Sequence, residues 1–153
     1  MGTTLWLMRH GRATGQEALA NLTPEGADHV RRLGRMLRGE GLRLAATWSS
    51  TYLRARDTAF IVASELVERP DVTALRELTP DHDAEDAWLV LVASGLPEGD
   101  VLVVSHLPLV GLLCGHLTGD DPGFAPGTVA VLALDDERRT GRIVRVIRPA
   151  DVP

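Results

Sequence analysis

The chain has 153 residues, enough for one core; 44% are hydrophobic but only 4% aromatic, so the interior has to be aliphatic. Its 16 basic side chains are all arginine, and the net charge of -5 excludes a global basic field for nucleic acid or an acidic membrane, leaving anion binding to locally placed cations. The single cysteine, Cys114, excludes an internal disulfide and a cysteine-based zinc site, and no apolar run approaches the length of a membrane span, so a soluble cytoplasmic protein is expected.

In chain order, Thr3 to Met8 reads as a buried strand that stops at Arg9-His10-Gly11. A loop with Gly15 and Asn21 follows, then Thr23-Pro24-Glu25, a threonine cap with proline at the first helical position and an acid in the first turn. Ala27, Val30, Leu33 and Leu37 recur at helical spacing, and Gly39 and Gly41 end that helix. Arg31, Arg32, Arg35 and Arg38 fall on its other faces and read as a solvated surface, as does His29.

Leu44 to Trp48 is a second strand, and Ser49-Ser50-Thr51 is expected to cap a helix running to about Val67. Val72 to Leu75 is a short third strand that leads into the acidic loop Glu77 to Asp83. A helix over Ala84 to Ala93, the apolar strand Val101 to Val104 and a helix over Pro108 to Leu117 follow, with Cys114 in the core of the last. Val129 to Leu134 and Ile143 to Ile147, joined by the polar link Asp135 to Gly141, predict an antiparallel hairpin. Repeats and a second domain are absent from the pattern. The alternation of strands and helices predicts one α/β three-layer sandwich, with a mostly parallel sheet, helices on both faces and a C-terminal antiparallel hairpin.

Three of these strands end in polar groups of one kind. The first delivers Arg9-His10-Gly11, the second Ser49-Ser50 and then Arg54, and the fourth Ser105-His106. In a mostly parallel sheet the carboxyl ends of the strands share one edge, where open α/β sheets bind ligands. Two guanidiniums and two imidazoles converging there would cradle a phosphate, with arginine supplying a planar fork for two oxygens. Each residue also has a bland reading: His106 as a helix cap or polar filler, Arg54 as a surface partner of Asp57 or Glu65.

Arg9-His10-Gly11, Leu22-Thr23-Pro24-Glu25-Gly26, the run Ser49 to Ala59 and Ser105-His106-Leu107-Pro108 resemble, in order, the motifs of the histidine phosphatase superfamily, which includes the cofactor-dependent phosphoglycerate mutases. The small size, Arg9 to Ala13, Glu77-Leu78-Thr79-Pro80 and Ser105 to Gly111 look most like the short SixA-type phosphohistidine phosphatases. Two departures are Thr51-Tyr52, where Pro-Leu is frequent, and Asp57, where Gln is frequent; neither is expected to touch a phosphate-binding position.

The resemblance implies a phosphoglycerate mutase-like fold and a metal-independent phosphatase without a cofactor. It makes His10 the nucleophile and gives Arg9, Gly11, Arg54 and His106 the phosphate. Glu77, Asp81 and Asp83 are the candidate general acids, with His82 beside them. The absence of an evident acid leans towards P–N cleavage, since imidazole leaves more readily than an alkoxide. The expected partner is a phosphohistidine-bearing protein. The alternatives are a small phosphate ester as substrate, or a non-catalytic phosphate-binding module.

Overall fold

The computed structural model describes residues 2–153. Six strands form one sheet: β1 (Thr3–Arg9), β2 (Leu44–Ser50), β3 (Val72–Leu75), β4 (Gly99–Ser105), β5 (Val129–Leu134) and β6 (Gly141–Ile147). Their order is β3-β2-β4-β1-β5-β6. The β3–β2, β2–β4 and β4–β1 pairs are parallel, while β5 runs antiparallel to both β1 and β6. The expected sandwich is present, and the hairpin forms one side of it. β6 begins two residues earlier than the apolar run alone suggested, because Gly141 and Arg142 still pair with β5.

Four helices cover the two faces: α1 (Pro24–Gly39), α2 (Leu53–Leu66), α3 (Ala84–Ala93) and α4 (Leu109–Thr118). The period-2 alternation of β1 divides its side chains between two cores. Leu5 and Leu7 join Val101, Val103, Leu91, Leu113 and Cys114 under α3 and α4. Trp6 and Met8 join Leu102, Val104, Leu33, Ala59 and Val62 under α1 and α2. Val101 to Val104 are all nearly inaccessible, and each such side chain contributes roughly 1.5–3 kcal/mol of transfer free energy. Burial pushes the Cys114 thiol up to about 11, as suits a core position. Trp6 and Trp88 are buried, their indole N–H groups donating to Asp100 and to the Arg138 carbonyl.

Thr23 caps α1 as its sequence requires, its Oγ1 accepting the Gly26 N–H at 2.9 Å. The expected Ser49-Ser50-Thr51 cap on α2 is absent. The helix starts later, with Tyr52 in the capping position and no side-chain cap bond, because β2 continues through Ser50; Ser49 donates to the Ser50 carbonyl, and Ser50 Oγ accepts the Tyr52 N–H and pairs with His106. His29 is half-buried, contrary to its expected surface position. Its ring packs against Gly127, which has φ +86° and no room for a Cβ beside the imidazole.

Candidate active site

The parallel ladder aligns Arg9 of β1 with Ser105 of β4, and the His10 N–H extends it by donating to the Ser105 carbonyl at 3.0 Å. The residues that follow these partners are His10 and His106, and their ring centroids lie 5.0 Å apart. The sheet edge thus brings together the two strand-end histidines that the sequence singled out.

His10 is 7% exposed, and its Nδ1 lies 2.7 Å from the Gly11 carbonyl. A carbonyl only accepts, so Nδ1 carries the proton and Nε2 keeps its lone pair. Arg54 Nε donates to that Nε2 at 3.2 Å, while Arg54 Nη1 donates to the Glu17 carbonyl at 2.8 Å. Arg54 is 2% exposed, yet among the described residues it has no carboxylate partner. Its bland reading as a surface ion pair therefore fails; Glu65 instead pairs with Arg35 at 3.1 Å. Arg9 Nη1 donates to the Phe124 carbonyl, and its Nε is buried with no partner.

His106 is 1% exposed; its Nε2 lies 2.7 Å from Ser50 Oγ, and its Nδ1 is buried and unpartnered. It caps no helix by its side chain; Pro108 occupies the capping position of α4. Tyr52 packs edge-on to His106, with ring centroids 5.1 Å apart, and lies under the Arg54 guanidinium at 5.1 Å. The Tyr52 departure from the family pattern was expected to lie clear of the phosphate-binding positions; it sits against His106 and Arg54, two of the residues expected to hold the phosphate.

Burial is the leading cause that pulls His10 down to about 4; Arg54 and Arg9 lower it further, against the Gly11 bond, which raises it. Loss of solvent thus outweighs each of the two neighbouring charges. His106 is pulled down to about 3 by burial, then by His10, Arg54 and Arg9. Both guanidiniums are lowered too, chiefly by burial. The result is two neutral imidazoles beside one buried cation, Arg54, and one half-buried cation, Arg9, with unpaired polar atoms on Arg9 and His106. Such a cluster is chemically suited to an oxyanion, which supplies the missing negative charge and accepts the free N–H groups.

The histidine phosphatase superfamily (branch 1) matches this chain over residues 5–81. The phosphohistidine phosphatase SixA of Escherichia coli (strain K12) is 33% identical over 140 residues, 86% of each chain. The chain belongs to the histidine phosphatase superfamily. The structure of the protein histidine phosphatase SixA complexed with tungstate superimposes with a TM-score of 0.86 at 30% identity, covering 100% of both chains. A phosphoglycerate mutase from Bacillus anthracis str. Sterne shares the fold, with a TM-score of 0.79 at 16% identity over 98% of this chain and 95% of that one.

Within this superfamily member, the other expected site residues are placed as follows. Gly11 was expected, by the resemblance, to take part in holding the phosphate. Its N–H is instead held by Thr58 Oγ1 at 3.1 Å, and a Cβ there would meet Val30 and the Gly26 carbonyl, so the glycine serves packing on α1. Glu77 lies 3.7 Å from Arg76, Asp81 is exposed, and Asp83 caps α3 by accepting the Asp86 N–H. None of the three is hydrogen-bonded to His10, Arg54 or His106. His82 is held through Nδ1 by Thr79 Oγ1 at 2.8 Å.

Thr58 was given no place at the site by the sequence reading, and Ser50, placed at a strand end, was given only a capping role. Thr58 Oγ1 donates to the Arg54 carbonyl at 2.7 Å while accepting from Gly11, so it ties the first motif to α2. Both hydroxyls sit inside motif segments that carry the resemblance, which is the signal that could have found them.

Proposed function

We propose that the chain is a phosphohistidine phosphatase that works through a phosphoryl group carried on His10. The observation that carries the reading is Arg54, buried without a carboxylate beside a neutral His10 whose Nε2 keeps its lone pair. The relatives support the same substrate class, since the most informative of them are a phosphohistidine phosphatase and a protein histidine phosphatase.

In this reading the phosphoryl oxygens take donors from Arg9, Arg54 and the His106 ring. His10 Nε2 attacks phosphorus in line; its N–P bond forms as the N–P bond to the substrate imidazole breaks, and the departing nitrogen takes a proton from solvent. The two arginines offset charge on the equatorial oxygens. Water then attacks the phosphorylated His10, releasing inorganic phosphate and restoring the neutral ring. Glu77, Asp81 and Asp83 have no bond to the cradle, which suits a leaving group that needs little acid assistance.

The test is single-turnover dephosphorylation of a phosphohistidine-bearing protein and of p-nitrophenyl phosphate, by wild type and His10→Ala. Loss of phosphate from the protein should outpace ester hydrolysis and fall more than about thousandfold in the variant. Strong ester turnover with an inert phosphoprotein would make the chain a small-molecule phosphatase. Near wild-type rates in His10→Ala would remove the covalent mechanism.

A further inference from the structure

The Ser50 hydroxyl occupies an asymmetric position at the carboxyl end of β2. Ser50 Oγ accepts the backbone N–H of Tyr52 at 3.0 Å and lies 2.7 Å from His106 Nε2, and Ser50 itself is 0% exposed. A hydroxyl has one hydrogen to give and two lone pairs. The Tyr52 N–H takes one lone pair. If His106 Nε2–H took the second, the buried hydroxyl hydrogen would have no acceptor. The arrangement that leaves no hydrogen stranded has Ser50 donating to His106 Nε2. A neutral imidazole that accepts at Nε2 must carry its proton on Nδ1. Nδ1 is the ring atom that is buried and unpartnered, in a ring packed 5.0 Å from that of His10.

We propose that Ser50 is a positioning residue: by donating to His106 Nε2, it fixes the tautomer in which the Nδ1–H of His106 is offered to the anion bound beside His10. The anion being a transferring phosphoryl group rests on the proposed function; the tautomer does not. The opposite tautomer would turn a lone pair towards the oxyanion and repel it. The same rule operates in mirror image at His10, where the Gly11 carbonyl holds the proton on Nδ1 and leaves Nε2 unprotonated, as the acceptor of Arg54 Nε. A carbonyl makes one imidazole a nucleophile, and a hydroxyl makes its neighbour a donor.

The experiment is long-range 1H–15N correlation NMR of histidine-labelled wild type, Ser50→Ala and Ser50→Thr at neutral pH, followed by titration with inorganic phosphate and single-turnover kinetics. Wild-type His106 should carry its proton on Nδ1, and that proton should shift downfield as phosphate binds. Ser50→Ala should move the His106 proton wholly or partly to Nε2, leave the His10 tautomer as it was, and slow turnover about tenfold or more. Ser50→Thr, which keeps the hydroxyl, should restore both. Where Ser50→Ala does not fold, Ser50→Cys fills the space with a much weaker donor and takes its place. A wild-type His106 protonated on Nε2, or a tautomer indifferent to Ser50→Ala, overturns the proposal even with phosphatase activity intact. A wild type inert on every phosphorylated substrate, with the tautomer behaviour as stated, overturns the proposed function and leaves the assignment of Ser50 standing.

Discussion

Arg54 Nε donates to His10 Nε2 at 3.2 Å, so a buried cation holds the nitrogen that the proposed mechanism turns towards phosphorus. The bond is compatible only with a ring deprotonated at Nε2. The guanidinium therefore favours the neutral form of His10 in the free protein, and in the proposed mechanism its donors pass to the phosphoryl oxygens.

Arg54 should be a residue that binding needs and folding does not. Arg54→Met removes a buried charge that has no carboxylate partner, so the fold should hold or gain about 1 kcal/mol in urea denaturation. Phosphate affinity and turnover should fall together, by about 1.5–3 kcal/mol for each charge-assisted hydrogen bond lost. Arg54→Lys should recover little, because an ammonium cannot present a planar fork. A large loss of stability in Arg54→Met would show that the guanidinium is structural.

The pH dependence has a definite direction. His10 titrates near 4 in the folded protein against 6.5 for an ordinary imidazole, so the kcat/KM profile should stay level through 6.5 and break near 4. For stability, the unfolded chain binds more protons than the folded one below 6.5. The contribution of His10 is complete above 6.5 and lost as pH falls towards 4, and that of His106 is lost towards 3. Urea midpoints of wild type and His106→Phe between pH about 7 and about 4 should diverge, with wild type falling more steeply. Parallel curves would contradict the buried, neutral state of His106.

Thr58→Val keeps the shape of the side chain and deletes the hydroxyl that joins the Gly11 N–H to the Arg54 carbonyl. The Gly11 amide then has no partner, at a cost of about 1–3 kcal/mol in denaturant unfolding. Turnover should drop as well, since the loop carrying His10 is no longer tied to the helix carrying Arg54. Thr58→Ser should keep most of both.

The elements whose boundaries are sharpest in sequence are those whose neighbours are punctuation. Val101 to Val104 stands between Gly99-Asp100 and Ser105-His106, and β4 extends it only to those flanks. The meeting of Arg9, His10, Arg54 and His106 was legible because three strands end in polar groups and parallel strands share an edge. Ser50 was hidden for a physical reason: its partner is 56 residues away, and serine before a helix has a strong local alternative as a cap. Tyr52 was hidden likewise, since an aromatic at a helix start carries no mark of the imidazole and guanidinium packed on it. Sheet order and register are invisible to local pattern, because they are decided by which apolar faces meet.

The alignment of Arg9 with Ser105 bears on how such a site can evolve. The spacing between the two imidazoles is stepped off by backbone pairing, rung by rung, and owes little to the particular aliphatic side chains beneath. Exchanging one apolar residue for another along β1 or β4 leaves that ruler unchanged. Inserting or deleting a single residue in either strand shifts it by a whole division, turns one histidine to the opposite face and separates the pair. Sequence drift in the core is thus open to this chain, while length changes between Thr3 and His10, or between Gly99 and His106, are closed to it.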